Sequence, residues 1–253
     1  MLRALIIGAC LSVPIFMGVT ASFPLDPALG STDRYDRHYR VAGAIPFLTS
    51  YLLFTPAHLE PGRTYPLVLA LHGGYKRSVG AFLAARADFQ DRHRSFVLMP
   101  MALLSEPWVE TGPGGRGLAP TRSLRLALDI LRRVMAKDPI DPRRVYVTGS
   151  SNGAVGTFAA LIHDRDLFAA GVAVNGAWPR QGAAAFKGAR LAIYHGTEDR
   201  LSSVAGMRDL VAAIRRAGGD PKFVEMKGVG HDSWAAYERQ DLWRWLFSQQ
   251  RDP

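Results

Sequence analysis

The sequence predicts an α/β protein with a mostly parallel central sheet and helices on both faces. Short, continuous apolar runs, such as PLVLAL at residues 66–71 and AGVAVN at 170–175, are typical of strands that are buried on both faces. Segments with apolar side chains at helical spacing separate these runs, and parallel strands need crossover connections of that kind. The length of 253 residues, with 48% hydrophobic and 21% charged residues, is ordinary for a globular protein.

The predicted strands share an apolar, β-branched character, and turn-forming or polar residues follow them. They occupy residues 47–54, 66–71, 95–100, 144–149, 170–175, 190–195 and 222–227.

The predicted helices have apolar side chains three or four residues apart. They occupy residues 124–135, 154–162 and 204–214, and a C-terminal amphipathic segment that contains Trp243 and Trp245. The sequence GPGGRG at 112–117 predicts a loop within residues 105–120. No internal repeat or low-complexity linker interrupts the pattern, so we expect a single domain over residues 22–253.

Residues 1–21 are expected to be a signal peptide rather than part of the fold. Arg3 is followed by an apolar run at residues 4–19, and VTA at 19–21 offers the small residues that a signal peptidase requires. Two alternatives remain: a lipoprotein signal ending at Cys10, and an uncleaved anchor. Secretion or a periplasmic location is expected, with no stable membrane insertion of the mature protein.

Cysteine count and charge exclude several functional classes. Cys10 is the single cysteine of the chain, so the mature protein has no thiol for a disulfide, a thiolate metal site or a cysteine nucleophile. The formal net charge is +9, but the basic residues are scattered singly and in pairs, which argues against nucleic-acid binding. The histidines show no metal-ligand spacing, and no metal or organic cofactor is expected.

A candidate nucleophile lies between a predicted strand and a predicted helix. The sequence GSSNG at 149–153 is a G-x-S-x-G motif centred on Ser151, with VYVT before it and a helix-compatible stretch after it. A tight turn in this context can hold Ser151 in a strained conformation at the carboxyl end of the sheet. Ser150 is the competing serine, but it is not centred between the two glycines.

A serine nucleophile needs a base and a carboxylate that orients the base. Asp199 follows the predicted strand at 190–195, and His231 lies in a glycine-flanked loop after the next strand. The chain order Ser151, Asp199, His231 is one of the orders found in serine hydrolases. Glu198 and Asp232 are the competing acids. His72 and His195 are expected to hydrogen-bond loop backbone instead of taking part in catalysis.

An oxyanion hole needs two backbone N–H donors. Asn152 follows the nucleophile and supplies the first donor by position, and the second is expected from Gly74 or Tyr75 after the strand at 66–71. Trp108, Trp178 and Trp234 follow predicted strands or adjoin His231, so each is expected either to line a substrate pocket or to pack loop against core.

Four segments resemble the secreted esterases of the α/β-hydrolase superfamily: LVLALHGG at 67–74, GSSNG at 149–153, HGTED at 195–199 and GHDSW at 230–234. They are most similar to the group of polyhydroxybutyrate depolymerases, feruloyl esterases, and dienelactone-hydrolase or prolyl-oligopeptidase-like carboxylesterases. The resemblance covers about Tyr51 to Phe247, and Ala154 departs from it where many relatives have a second glycine.

The resemblance implies the α/β-hydrolase fold and a triad of Ser151, Asp199 and His231. It also implies hydrolysis of carboxylic esters, small or polymer-linked, through an acyl-enzyme. The alternatives are a serine peptidase of the prolyl-oligopeptidase-like type and a binding protein without catalysis on the same fold.

Overall fold

The computed structural model describes residues 36–42, 47–74, 78–103, 106–110 and 118–252. Its strands are β1 (Asp36–Ala42), β2 (Phe47–Phe54), β3 (Tyr65–Leu71), β4 (Phe96–Pro100), β5 (Ile140–Ser150), β6 (Ala170–Val174), β7 (Leu191–Gly196) and β8 (Lys222–Met226). They form one sheet of eight strands in the order β1-β2-β4-β3-β5-β6-β7-β8. β2 is antiparallel to β1 and to β4, whereas every pairing among β3 to β8 is parallel. The mostly parallel sheet that the sequence predicts is thereby confirmed.

The described helices are α1 (Val79–Ala84), α2 (Ala87–Arg92), α3 (Arg122–Lys137), α4 (Asn152–His163), α5 (Val204–Arg216), α6 (Trp234–Tyr237) and α7 (Gln240–Ser248). A 3₁₀ helix spans Arg180–Phe186. Thr121 and Ser203 cap α3 and α5, because their side chains accept hydrogen bonds from Leu124 N and Gly206 N. None of the described helices is both long and apolar enough to cross a membrane.

The side-chain alternation of β3 divides the core into two layers. Leu67, Leu69 and Leu71 pack in one cluster with apolar residues of α3, α4 and α5. Val68 and Ala70 point to the other face and pack with residues of α1, α2, α6 and α7. Successive side chains of a strand point to opposite faces, so a strand that is apolar throughout requires helices on both sides.

Several sequence predictions fall wholly or partly outside the described residues. The signal peptide at residues 1–21, with Cys10, is among them, as is Tyr75. The predicted loop at 105–120 is described at 106–110 and 118–120, where Val109 and Pro120 form an isolated antiparallel bridge.

The turn from β5 into α4 brings three backbone segments into close contact. A Cβ atom on Gly149 would lie 2.3 Å from Gly153 O, and one on Gly153 would lie 2.2 Å from Leu71 O. Neither distance is possible for a real side chain, so both glycines of the motif are required by the approach of β5, α4 and β3.

The glycine requirement gives a stability prediction. Gly153→Ala forces the backbone of α4 away from Leu71, and we expect it to lower the free energy of unfolding by about 1–3 kcal/mol. This corresponds to a loss of roughly 2–4 °C in Tm per kcal/mol, measured by thermal unfolding followed by circular dichroism.

Gly206→Ala in α5 is the matched control. An added Cβ there would meet only Ser203 Cβ at 3.9 Å. Because alanine loses less conformational entropy on folding, this variant is expected to gain about 0.4–1 kcal/mol. Equal effects of the two substitutions would contradict the packing explanation.

Candidate active site

The candidate residues lie at one edge of the sheet, where the parallel strands end. The strand ends are in register: Ser150 lies opposite Val174, and Gly196 lies opposite Met226. Loops that follow neighbouring parallel strands meet at the carboxyl edge, which is the usual location of ligand sites in such sheets. The predicted residues in these loops are Ser151 after β5, Asp199 after β7 and His231 after β8.

Ser151 occupies a constrained turn between β5 and α4. Its φ is 55° and its ψ is −120°, in a region that residues other than glycine seldom adopt. Its backbone N–H donates to Val174 O at 2.9 Å, so the neighbouring strand β6 holds the turn in place. The strained conformation predicted from the G-x-S-x-G motif is confirmed.

The first turn of α4 and the loop after β3 both adjoin Ser151. Asn152 is the first residue of α4, and N–H groups of a first helical turn have no partner within the helix. A Cβ atom on Gly73 would lie 3.7 Å from Ser151 Cβ, so the β3 loop passes directly beside the serine. Gly74 comes next and is exposed, and Tyr75 lies outside the described residues.

His72 organises the β3 loop through backbone contacts, as the sequence predicts. Its Nε2 accepts a hydrogen bond from Ala102 N at 3.0 Å, which places the ring hydrogen on Nδ1, 2.7 Å from Gly73 O. Its carbonyl oxygen accepts from Trp108 Nε1 at 2.8 Å. The Trp108 side chain is fully buried and packs 4.8 Å from the His72 ring. This position beneath the loop favours the packing alternative for Trp108.

Asp199 is a buried carboxylate with three hydrogen-bond donors. Leu201 N and Ser202 N donate to its Oδ1, each at 2.9 Å. His231 Nδ1 lies 2.7 Å from its Oδ2. Burial raises the pKa of Asp199, but the hydrogen bonds from Ser202, His231 and Leu201 outweigh that effect and hold the pKa below its ordinary value. Asp199 is therefore ionised at neutral pH and can only accept, so His231 donates through Nδ1.

The two competing acids have different surroundings. The Glu198 side chain is exposed. Asp232 is also exposed, and its Oδ1 accepts a hydrogen bond from Trp234 N at 2.9 Å. The structure brings Asp199, and neither of these two, into contact with the His231 ring.

His195 supports the acid loop from beneath. Its side chain is fully buried, and Nε2 lies 2.8 Å from Ser202 O and 3.5 Å from Asp199 Oδ2. Its Nδ1 has no hydrogen-bond partner among the described residues. The bond from Nε2 to Ser202 O is the backbone contact that the sequence predicts for this histidine.

His231 is the accessible member of the pair with Asp199. Its side chain is 22% exposed, whereas that of Asp199 is completely buried. Because Nδ1 is bound to Asp199, Nε2 is left for another partner. Within the described part of the chain, no hydrogen bond joins this ring to Ser151 Oγ.

The other two candidate pocket tryptophans, Trp178 and Trp234, differ in burial. Trp178 is 9% exposed and packs against Phe158 and Phe186, with ring centroids 5.7 and 6.1 Å away. Its Nε1 is buried and has no partner among the described residues. Trp234 is half-buried at the start of α6, three residues after His231.

Sequence reasoning missed Asn175, which directly follows β6. It is 1% exposed and has a φ of 49°. Its side chain accepts a hydrogen bond from Gly196 N at the end of β7 and donates one to Asp232 O in the loop after β8. The available signal was an Asn-Gly pair directly after a buried strand, which is typical of a positive φ.

Comparison with known proteins supports the same fold. No protein-family model matches the chain. Over 117 residues the chain is 30% identical to poly(3-hydroxyalkanoate) depolymerase C of Paucimonas lemoignei. The matched segment covers 44% of this chain and 28% of the depolymerase.

Two solved structures have similar architecture. A thermostable esterase superimposes with a TM-score of 0.80 and 28% identity, covering 87% of this chain and 64% of that one. A ferulic acid esterase of the anaerobic fungus Anaeromyces mucronatus superimposes with a TM-score of 0.62 and 14% identity. This match covers 84% of the present chain and 88% of the fungal esterase. The chain thus spans less than two thirds of the length of the depolymerase and of the thermostable esterase. It has the α/β-hydrolase fold, and the resemblance to esterases of that superfamily is confirmed.

Proposed function

We propose that this protein is a serine hydrolase that cleaves carboxylic esters through an acyl-enzyme on Ser151. The observation that carries the proposal is the 2.7 Å hydrogen bond between His231 Nδ1 and the buried carboxylate of Asp199, at the sheet edge where Ser151 is held in a strained turn. A serine, a histidine and an acid with these roles are the requirements for activating an alcohol at neutral pH.

In the first half of the reaction, His231 Nε2 takes the proton of Ser151 Oγ as that oxygen attacks the ester carbonyl carbon. Asp199 holds the imidazole in the required tautomer and stabilises the imidazolium that forms. The carbonyl oxygen becomes an oxyanion, which accepts hydrogen bonds from Asn152 N–H and from the N–H of Gly74 or Tyr75. His231 then gives its proton to the leaving alkoxide, and the acyl group stays on Ser151.

In the second half, a water molecule replaces the alcohol. His231 takes one proton from the water, whose oxygen attacks the acyl carbon. Collapse of the second oxyanion breaks the bond to Ser151 Oγ, which recovers its proton from His231. The products are one carboxylic acid and one alcohol, and the protein returns to its starting state.

The names of the similar proteins guide the choice of substrates. They suggest short acyl esters, hydroxyalkanoate oligomers and feruloyl esters as the first compounds to test. Trp178 and Trp234 are the candidates for contact with the acyl or alcohol group, since both lie near this edge of the sheet. A proline-containing peptide anilide tests the peptidase alternative, and ligand binding without turnover would indicate the binding protein.

We also propose that residues 1–21 are removed during export, which leaves Ser22 at the mature N-terminus. Expression of the full chain in a bacterium with a secretory pathway, followed by mass spectrometry of the purified protein, tests this directly. A mass that begins at Ser22 is expected. A retained N-terminus or a lipid on Cys10 would contradict it.

Replacement of Ser151 is the main test of the proposed function. Ser151→Ala removes the nucleophile and is expected to lower kcat/KM for p-nitrophenyl esters by about 10⁴-fold or more. Ser150→Ala is the matched control, because it removes the hydroxyl of the neighbouring serine, and a loss of less than about tenfold is expected. Comparable losses in both variants, or none in Ser151→Ala, would contradict the assignment.

Replacement of Asp199 tests the acid. Asp199→Asn keeps the shape of the side chain but no longer selects the His231 tautomer, and kcat is expected to fall by about 10⁴-fold. Asp232→Asn is the matched control at the competing acid and should retain activity. A larger loss in Asp232→Asn would transfer the role to that residue.

Asp199 also makes stability depend on pH. Its pKa is lowered on folding, so its ionised form stabilises the folded state above the ordinary pKa of about 3.9. That contribution is lost as the pH falls through the lower, folded value. The difference in Tm between wild type and Asp199→Asn should therefore be largest near neutral pH and shrink below about pH 4. A constant difference across this range would contradict the pairing.

A further inference from the structure

We propose that Asn175 is a positioning residue that holds the His231 loop, residues 227–233, against the strands that carry Ser151 and Asp199. The inference rests on the proposed function, since it concerns how the base of that reaction is placed. It assigns a role to a buried amide that makes no contact with substrate in the proposed mechanism.

The backbone of Asn175 lies between the nucleophile and the acid. It follows Val174, whose carbonyl oxygen accepts the hydrogen bond from Ser151 N at 2.9 Å. On the other side, Asn175 N donates to Tyr194 O in β7 at 2.9 Å. One residue is thus fixed relative to the strand ends that lead to Ser151 and to Asp199.

The side chain of Asn175 connects this fixed point to the His231 loop. Its Nδ2 donates to Asp232 O at 3.0 Å and lies 3.5 Å from Gly230 O, so both contacted carbonyl groups belong to neighbours of His231. Its Oδ1 accepts from Gly196 N at 2.9 Å. The amide therefore uses donor and acceptor together, and the residue is 1% exposed.

The His231 loop has a second set of contacts on the acid side. Glu198 N donates to Val229 O at 2.9 Å, and a Cβ atom on Gly196 would lie 2.3 Å from the same carbonyl oxygen. These contacts keep the loop close to β7 and to Asp199. They do not fix the distance between the His231 loop and Ser151, because Ser151 and His231 share no hydrogen bond within the described structure. Other residues must set that distance.

A more distant anchor on the nucleophile side is Tyr237. Its hydroxyl group lies 2.8 Å from Thr148 Oγ1 in β5, and the residue is buried. Tyr237 is six residues beyond His231, so it fixes where the chain goes after the loop. Asn175 contacts the carbonyl groups of the residues before and after His231, which sets the position of the imidazole more closely.

Asparagine suits this position for two physical reasons. It tolerates the φ of 49° better than most residues. Its short amide also offers a donor to carbonyl oxygens and an acceptor to an N–H group at once, whereas a carboxylate would face Asp232 O without a hydrogen to share. The expected consequence of its loss is a misplaced base with little change in substrate affinity, which lowers kcat and leaves KM nearly unchanged.

Asn175→Gly tests this role most cleanly, because glycine accepts the positive φ and only the amide is removed. We expect kcat to fall on the order of 10- to 100-fold, with KM within about twofold of wild type. We also expect loss or broadening of the downfield proton resonance of His231 Nδ1, identified in wild type by its absence from Asp199→Asn.

Gln90→Ala is the matched control for general destabilisation. The Gln90 amide also bridges backbone groups, donating to Ala84 O and Ser95 O and accepting from Ser95 N, at the opposite edge of the sheet. This variant should lose stability but keep wild-type kcat at temperatures below its Tm.

Each remaining outcome decides the question. The proposal is overturned if a folded Asn175→Gly variant keeps the wild-type kcat. It is also overturned if Gln90→Ala loses as much kcat as Asn175→Gly. If Asn175→Gly does not fold, Asn175→Asp replaces it: this variant keeps the acceptor for Gly196 N but loses the donor to Asp232 O, and wild-type kcat there is equally decisive. Failure of the proposed function is distinguishable, because wild-type protein would then hydrolyse no ester.

Discussion

The carboxylate of Asp199 is the group around which the site is built. A buried charge is costly unless donors surround it, and here two backbone N–H groups of its own loop and the Nδ1 hydrogen of His231 supply them. The same hydrogen bonds lower its pKa and keep it ionised. Since one of the three donors comes from a different loop, satisfying the charge draws the loops after β7 and β8 together.

The sheet supplies the geometry in which this pairing is useful. Parallel strands in register end at one edge, and the turn after β5 presents Ser151 there because no side chain fits at Gly149 or Gly153. The residues that hold these loops are buried: His72 beneath the β3 loop, His195 beneath the loop of Asp199, and Asn175 between the turn of Ser151 and the loop of His231. The loops of the proposed catalytic residues thus rest on buried polar groups whose hydrogen bonds fix them.

Much of this arrangement could be predicted from the sequence, because apolar runs and turn residues carry strong local signals. The strand at 47–54 is found at its predicted bounds, and β6 ends one residue before the predicted limit. β5 begins earlier than predicted, at Ile140, which pairs with Tyr65 across an irregularity in register; Pro142 obscured that start. The helices α1 and α2 were missed because each has six residues and too few turns to show a period.

The remaining differences between the sequence predictions and the structure depend on tertiary contacts. Nothing local indicates that Trp108 donates to His72 O beneath the β3 loop, or that Asn175 bridges three segments far apart in the chain. The antiparallel direction of β2 relative to β1 and β4 likewise depends on which strands become neighbours, which the apolar pattern alone does not specify.

A crystal structure of the protein after reaction with a fluorophosphonate ester tests the proposed roles of Ser151, Asp199 and His231 in one measurement. We expect phosphorus bonded to Ser151 Oγ, a phosphoryl oxygen within hydrogen-bond distance of Asn152 N, and the His231 ring adjacent to the adduct while still bound to Asp199. Phosphorus on another residue, or an imidazole of His231 remote from the adduct, would contradict it.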